Sequence, residues 1–312
     1  MIVVRWLLAL ALAAAVAAVL GRTWARAGAS GGPWGTAFGR VRRDGAGMLA
    51  LRFLIFVAAV ALFAHWLAPD DPNRIDLALA SRAPSLSHPF GTDIYGRDVL
   101  SRVVHGARIS LSVGFLAVLL SITVGTAYGA IAGYVGGRTD AVLMRVIDAL
   151  LSIPRILVLL AIFALWGRVS LGALVLILGL TGWFATSRLV RAQVLSLKTE
   201  EMIVAARALG ARHRRILWRH ILPGVTSTVV VAATLGIGNV IILEAGLSFL
   251  GVGVQAPTAS WGNMISDGVS NVAGLWWMSL FPGLAIVLTV MAFNIIGDAL
   301  RDALDPREIQ AA

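Results

Sequence analysis

The sequence predicts an all-α integral membrane protein, a polytopic helical bundle. Three observations carry that prediction. Of the 312 residues, 58% are hydrophobic and 13% charged, where a soluble domain carries about 25% charged residues. The charge is missing from long apolar blocks, each near the roughly 20 residues that a helix needs to cross the hydrocarbon core. The basic residues are also unevenly placed, and none occurs between Ile221 and Leu300.

Seven blocks qualify as spans: 2–20, 48–68, 109–135, 143–166, 170–187, 225–250 and 275–297. Lipid offers a backbone group no partner, so each is expected to be helical. The first block, "MIVVRWLLALALAAAVAAVLG", admits three readings: an uncleaved extra span, a signal peptide, or a start placed too early. The extra span is preferred, because cleavage would leave Arg22, Arg26, Arg40, Arg42 and Arg43 outside. In the block 109–135, Gly125, Gly129 and Gly133 recur at Gly-x-x-x-Gly spacing, a small-residue face for helix packing. In 143–166, Pro154 predicts a kink or a late start within one helix rather than two separate elements.

Orientation follows from arginine, which is retained on the cytoplasmic side. The stretch 188–219 carries Lys198 and seven arginines and is expected to be cytoplasmic. The arginine-free loop 251–274 is then external. Counting back makes 69–105 external and 21–47 cytoplasmic, and the tail with Arg301 and Arg307 is cytoplasmic too. The segment 69–105 is the weakest point of this assignment, since it holds Arg74, Arg82, Arg97 and Arg102 beside five aspartates. The formal charge of +10 is explained by this retention, with no need for a nucleic-acid partner. Cysteine is absent, which excludes disulfides, thiolate metal sites and a Cys nucleophile.

The most charged stretch is "EEMIVAARALGARHRRILWRHILPG", residues 200–224, with five Arg and two Glu. Its pattern is helix–Gly–helix. Thr199 ahead of Glu200 and Glu201 is a first-turn signal. Ala205, Ala206 and Ala208 form a small face that lets another protein approach. Gly210 is suited to end the helix in the left-handed conformation. A second short amphipathic helix is expected over 211–222, with Ile216, Leu217, Ile221 and Leu222 on one side. Pro223 then sits in the first turn of the next span. Physics alone leaves two uses open: a basic loop resting on anionic lipid, or a docking element for a cytoplasmic partner.

"AARALG" followed by "RHILP" resembles the cytoplasmic signature of ABC importer permeases. Three further stretches resemble the permeases of peptide and nickel importers. They are "HPFGTDIYGRDVLSRVVHGARISL" (88–111), "EAGLSFLGVGVQAPTASWGNMISDG" (244–268) and "FNIIGDALRDALDPR" (293–307). Together they point to the second permease subunit of an oligopeptide, dipeptide or nickel-type importer, with the type I ABC importer permease fold. The resemblance implies that residues 200–222 couple to an ATPase, through Glu201, Ala205, Ala206, Arg207, Gly210, Ile221, Leu222 and Pro223. The family's acidic position is Val204 here, which puts an ion pair at that position in doubt. The implied partners are a homologous permease, two ATPase subunits that hold ATP and Mg, and an external substrate-binding protein. No cofactor is expected in this chain. The implied organisation is an extra span and basic linker over 1–47, a preceding span and external segment over 48–106, a permease domain over 107–300 and a tail over 301–312.

Glu244 is the one carboxylate in the run 225–250. It lies about 31 Å along the helix from Pro223, near the external interface. It could face a translocation cavity or accept hydrogen bonds from the turn "GLSFLG" or a partner permease, and the structural role is favoured. Asp148 is expected to pair with Arg145 or line the cytoplasmic mouth. Asp98 and Arg102 are spaced as an i,i+4 pair on a short helix. His88, Asp93, Asp98 and His105 match no closed metal-ligand spacing. No GxxxxGK[ST] phosphate cradle occurs, so ATP hydrolysis is assigned to another chain, and this one is not expected to be an enzyme. An ion-driven secondary transporter is the alternative, but it predicts inverted repeats and mid-membrane charges. A non-transporting scaffold is the other, and the docking element argues against it.

Overall fold

The computed structural model describes residues 33–167, 169–269 and 274–304. The expected extra span over 2–20 and the tail beyond Leu304 lie outside these residues. The described chain is built of helices around one long central element. Helix α1 spans Pro33–Arg43. Helix α2 spans Gly45–Leu62 and is capped by Asp44, whose carboxylate accepts from the amides of Ala46 and Gly47. A short α3 follows over Ala64–Leu67.

Helix α4 runs unbroken over 37 residues, Val99–Val135. At 1.5 Å per residue it is about 55 Å long, longer than the hydrocarbon core. A span was expected only from 109, with a separate short helix before it. The two are continuous because Asp98 caps the whole element, accepting from the Ser101 amide at 2.7 Å, and nothing between 99 and 109 breaks a helix.

Helices α5 (Gly137–Leu151) and α6 (Arg155–Trp166) are bent by 71° at the break before Pro154. This corrects the single kinked helix expected over 143–166. Proline has no amide to donate and disfavours helical geometry in the residue before it. Pro154 itself is extended, with ψ of 125°. Helices α7 (Leu171–Leu180) and α8 (Trp183–Leu197) together make a span of 27 residues, ten beyond the expected end at 187. The arginines at 188 and 191 do not end the helix, because each has a carboxylate opposite: Asp148 for Arg188 and Asp140 for Arg191. Asp148 therefore does not pair with Arg145.

After α8 come α9 (Glu201–Ala208), α10 (His213–Ile216), a π-helical turn (Leu217–Ile221) and α11 (Leu222–Phe249). Helices α12 (Trp261–Val269) and α13 (Trp277–Leu304) complete the set. Among the described residues, five helical stretches are long and apolar enough to cross a membrane, or six if α5 and α6 form one bent span.

The glycines predicted as a packing face on α4 meet α8. A methyl group on Gly129 would stand 2.3 Å from the Ser187 carbonyl oxygen, and one on Gly133 2.9 Å from that of Arg191. Only glycine permits this backbone approach. Helix α11 packs on α4 and α13, and α2 packs on α13 and α4. Many side chains on the outer surface are apolar, including Phe115, Leu119, Val146, Leu157, Val287 and Met291. That outward face suits a lipid or subunit environment rather than water.

Candidate functional site

Two constellations stand out, at opposite ends of α4. The first is the turn from α8 through α9 to α10. The amide-capping role expected for Thr199 is not realised. Its hydroxyl donates back to the Ser196 carbonyl at 2.8 Å, closing the end of α8. Helix α9 starts instead from Glu200 in an extended conformation with no side-chain cap. Glu201 in the first turn complements the positive end of the helix dipole.

The C-terminus of α9 is a Schellman motif. The Ala211 amide donates to the Ala206 carbonyl and the Gly210 amide to that of Arg207, both at 3.0 Å. Gly210 has φ of +80°, as expected from the sequence. A methyl group there would meet nothing within 4 Å. The requirement for glycine is therefore one of backbone conformation alone.

Burial divides α9 into two faces. Ile203 is buried at 1% exposure and packs with Val190, Val194, Ile216, Ile221 and Val225. Met202, Val204, Ala205 and Leu209 face out, with Leu209 88% exposed. Ala206 is half-buried, and Glu201 and Arg207 are exposed. The structure thus brings Ile221 against Ile203, with Leu222 half-buried beside them, and leaves Pro223 exposed.

The second short helix expected over 211–222 is not a separate element. His213–Ile216 passes through the π-helical turn directly into α11. The cause is Pro223, whose ring would clash with the carbonyl four residues back in an α-helical register. The wider turn, closed by the Leu222 amide on the Leu217 carbonyl, lets the helix continue through the proline. Two contacts tie this region to the end of α4. The Tyr134 hydroxyl lies 2.9 Å from His213 Nδ1, and Lys198 Nζ donates to the Gly133 carbonyl at 2.9 Å.

The second constellation surrounds Glu244, which is fully buried. Its Oε1 accepts from the hydroxyls of Ser248 at 2.7 Å and Ser260 at 3.0 Å, and Oε2 from Ser110 at 3.5 Å. Ser110 Oγ accepts in turn from the Trp261 amide, and Ser248 Oγ from the Val254 amide. One carboxylate thereby ties α4, α11 and the loop leading into α12 together. The turn partner Ser248 was legible in "GLSFLG". Ser110 and Ser260 were not, since they stand 134 and 16 residues away in sequence.

Beside this hub lies an ion-pair cluster. Arg97 pairs with Asp93 and Asp267, and Arg102 with the same two carboxylates. The expected Asp98–Arg102 pair is not made. Asp98 is used up in capping α4 and in a 3.0 Å contact with His88 Nδ1. Burial pushes the Asp267 carboxyl above the usual carboxylate range, against the pull of Arg102 and Arg97. Among the described residues, no three His, Asp or Glu side chains gather as a metal-ligand set.

Residues 125–310 match the family of binding-protein-dependent transport system inner membrane components. Residues 32–85 match the N-terminal TM domain of oligopeptide transport permease C. The dipeptide transport system permease protein DppC of Bacillus subtilis (strain 168) is 42% identical over 272 residues, 87% of this chain and 85% of the relative. The oligopeptide transport system permease protein OppC of the same organism is 39% identical over 274 residues, 88% of this chain and 90% of the relative. The glutathione transport system permease protein GsiD of Escherichia coli O157:H7 is 44% identical over 276 residues, covering 88% and 91% of the two chains. With spans, polar hub and the exposed α9 turn in place, the chain belongs to the binding-protein-dependent transport inner-membrane components: it is a multi-pass permease subunit of an ABC importer and not an enzyme.

Proposed function

We propose that this subunit forms half of a pathway for peptides or peptide-like small solutes, with a homologous permease as the other half. Two ATPase subunits, carrying ATP and Mg, dock on one side, and an external binding protein delivers the solute on the other. Arginine retention makes the α9 end cytoplasmic and the Glu244 end external. Three relatives that carry dipeptides, oligopeptides or glutathione by name support the solute class.

The observation that carries the coupling role is the shape of α9. It is a two-turn helix with one buried anchor, Ile203, and an outward face of Met202, Val204, Ala205 and Leu209. Exposed apolar side chains on a rigidly terminated helix are suited to a protein groove. The anchor couples any push on α9 to α8 and α11 through Val190, Val194 and Val225. Closure of the ATPases would thus move these spans as rigid bodies. The test of solute class is ATP hydrolysis by the reconstituted complex with its binding protein, against di-, tri- and longer peptides and glutathione. Stimulation by at least one of these is expected. Stimulation only by a sugar or an inorganic ion would refute the peptide reading.

A further inference from the structure

The basic residues beyond Gly210 are not part of the α9 face. Arg212, Arg214, Arg215 and Arg219 line one open cleft together with Trp218. Elsewhere at this end the guanidinium groups of Arg188 and Arg191 each face a carboxylate. Among the described residues, the guanidinium groups of the four cleft arginines make no side-chain hydrogen bond or ion pair; only backbone carbonyls here, such as that of Arg212, accept hydrogen bonds. The helix that carries them is firmly held from behind. Ile216 and Ile221 are fully buried on its inner side, and His213 contacts the Tyr134 hydroxyl. The arginines are exposed, and so is Trp218 at 65%. They stand at the start of the membrane-crossing stretch His213–Phe249, just before the run without Lys or Arg that begins at His220.

We infer that this cleft binds the headgroup of an anionic phospholipid at the bilayer surface. Arginines with no acidic partner supply the charge and the forked donors that a phosphate diester needs. An exposed indole at that level fits the boundary between headgroups and acyl chains. Basic pockets at the ends of membrane helices favour acidic lipids by about 1 kcal/mol for each basic residue. The inference requires only that the cleft lie at a bilayer surface, so it does not depend on the solute or on which side α9 faces.

The test uses the full-length chain, purified with the subunits that accompany it and stripped of lipid, then titrated with phosphatidylglycerol or phosphatidylcholine and followed by native mass spectrometry. Wild type is expected to prefer phosphatidylglycerol. The double variant Arg215→Gln with Arg219→Gln should weaken that binding roughly 25-fold and leave phosphatidylcholine unchanged. Arg215→Lys with Arg219→Lys should keep most of it. Equal binding of the two lipids by wild type would overturn the inference, as would unchanged binding by the glutamine variant. Loss of the ATPase subunits from the glutamine variant, at unchanged lipid binding, would make the cleft a protein contact instead. Inorganic phosphate binding as tightly as the lipid would likewise overturn it.

Discussion

At Glu244 a single carboxylate holds three buried hydroxyls. Truncation to Ala would leave Ser110, Ser248 and Ser260 short of an acceptor, at roughly 1–3 kcal/mol for each buried group left unsatisfied. Glu244→Ala is therefore expected to lower the thermal unfolding temperature of the purified protein strongly, with Glu244→Gln less affected. A Glu244→Ala variant of unchanged stability that fails only in transport would place Glu244 on the solute path instead. Sequence alone pointed to one partner, Ser248, in the turn of Glu244 itself. It could not give the others, because a hydroxyl 134 residues away leaves no local signal. The same limit applies to Arg102. Its i,i+4 neighbour Asp98 was the visible partner, but the cap of α4 claims that aspartate, and the real partners, Asp93 and Asp267, come from other elements.

Among the elements, the α4–α8 contact is set by backbone approach. Gly129→Ala puts a methyl group against the Ser187 carbonyl, which has no flexible side chain to move aside. Overpacking of this kind costs about 1–3 kcal/mol. Thermal unfolding in detergent should fall for Gly129→Ala and stay unchanged for Gly246→Ala, whose added methyl meets nothing within 4 Å. Equal unfolding temperatures for the two would mean that α4 and α8 are not so closely packed. This contact was legible, since Gly-x-x-x-Gly spacing encodes it directly. The span cores were legible for the same reason, as apolar runs of the right length. Helix ends were not. Asp98 extends α4 ten residues past the apolar core, and carboxylates on α5 let α8 continue through Arg188 and Arg191. At Pro154 a proline breaks the element in two. At Pro223 another is carried by a π-helical turn, and hydropathy does not separate the two cases.

At the scale of the whole molecule, α4 links an end built on buried polar contacts to an end that carries the exposed helix α9. The proposed sides can be fixed by cysteine labelling, since the chain has no native Cys. Thr258 and Ala208 are both exposed. Thr258→Cys should react with an impermeant maleimide added outside intact cells, and Ala208→Cys only after the membrane is opened. The reverse pattern would invert the topology. The most direct test of the central claim, that α9 transmits ATPase movement to the spans, is uptake by cells or proteoliposomes carrying Gly210→Val. The substitution strains only the left-handed turn, at roughly 1 kcal/mol or more, so membrane abundance should stay near wild type. Uptake should nonetheless collapse, with the ATPase subunits either lost on purification or hydrolysing ATP without transport. Wild-type uptake by Gly210→Val at wild-type abundance would contradict the coupling role of α9.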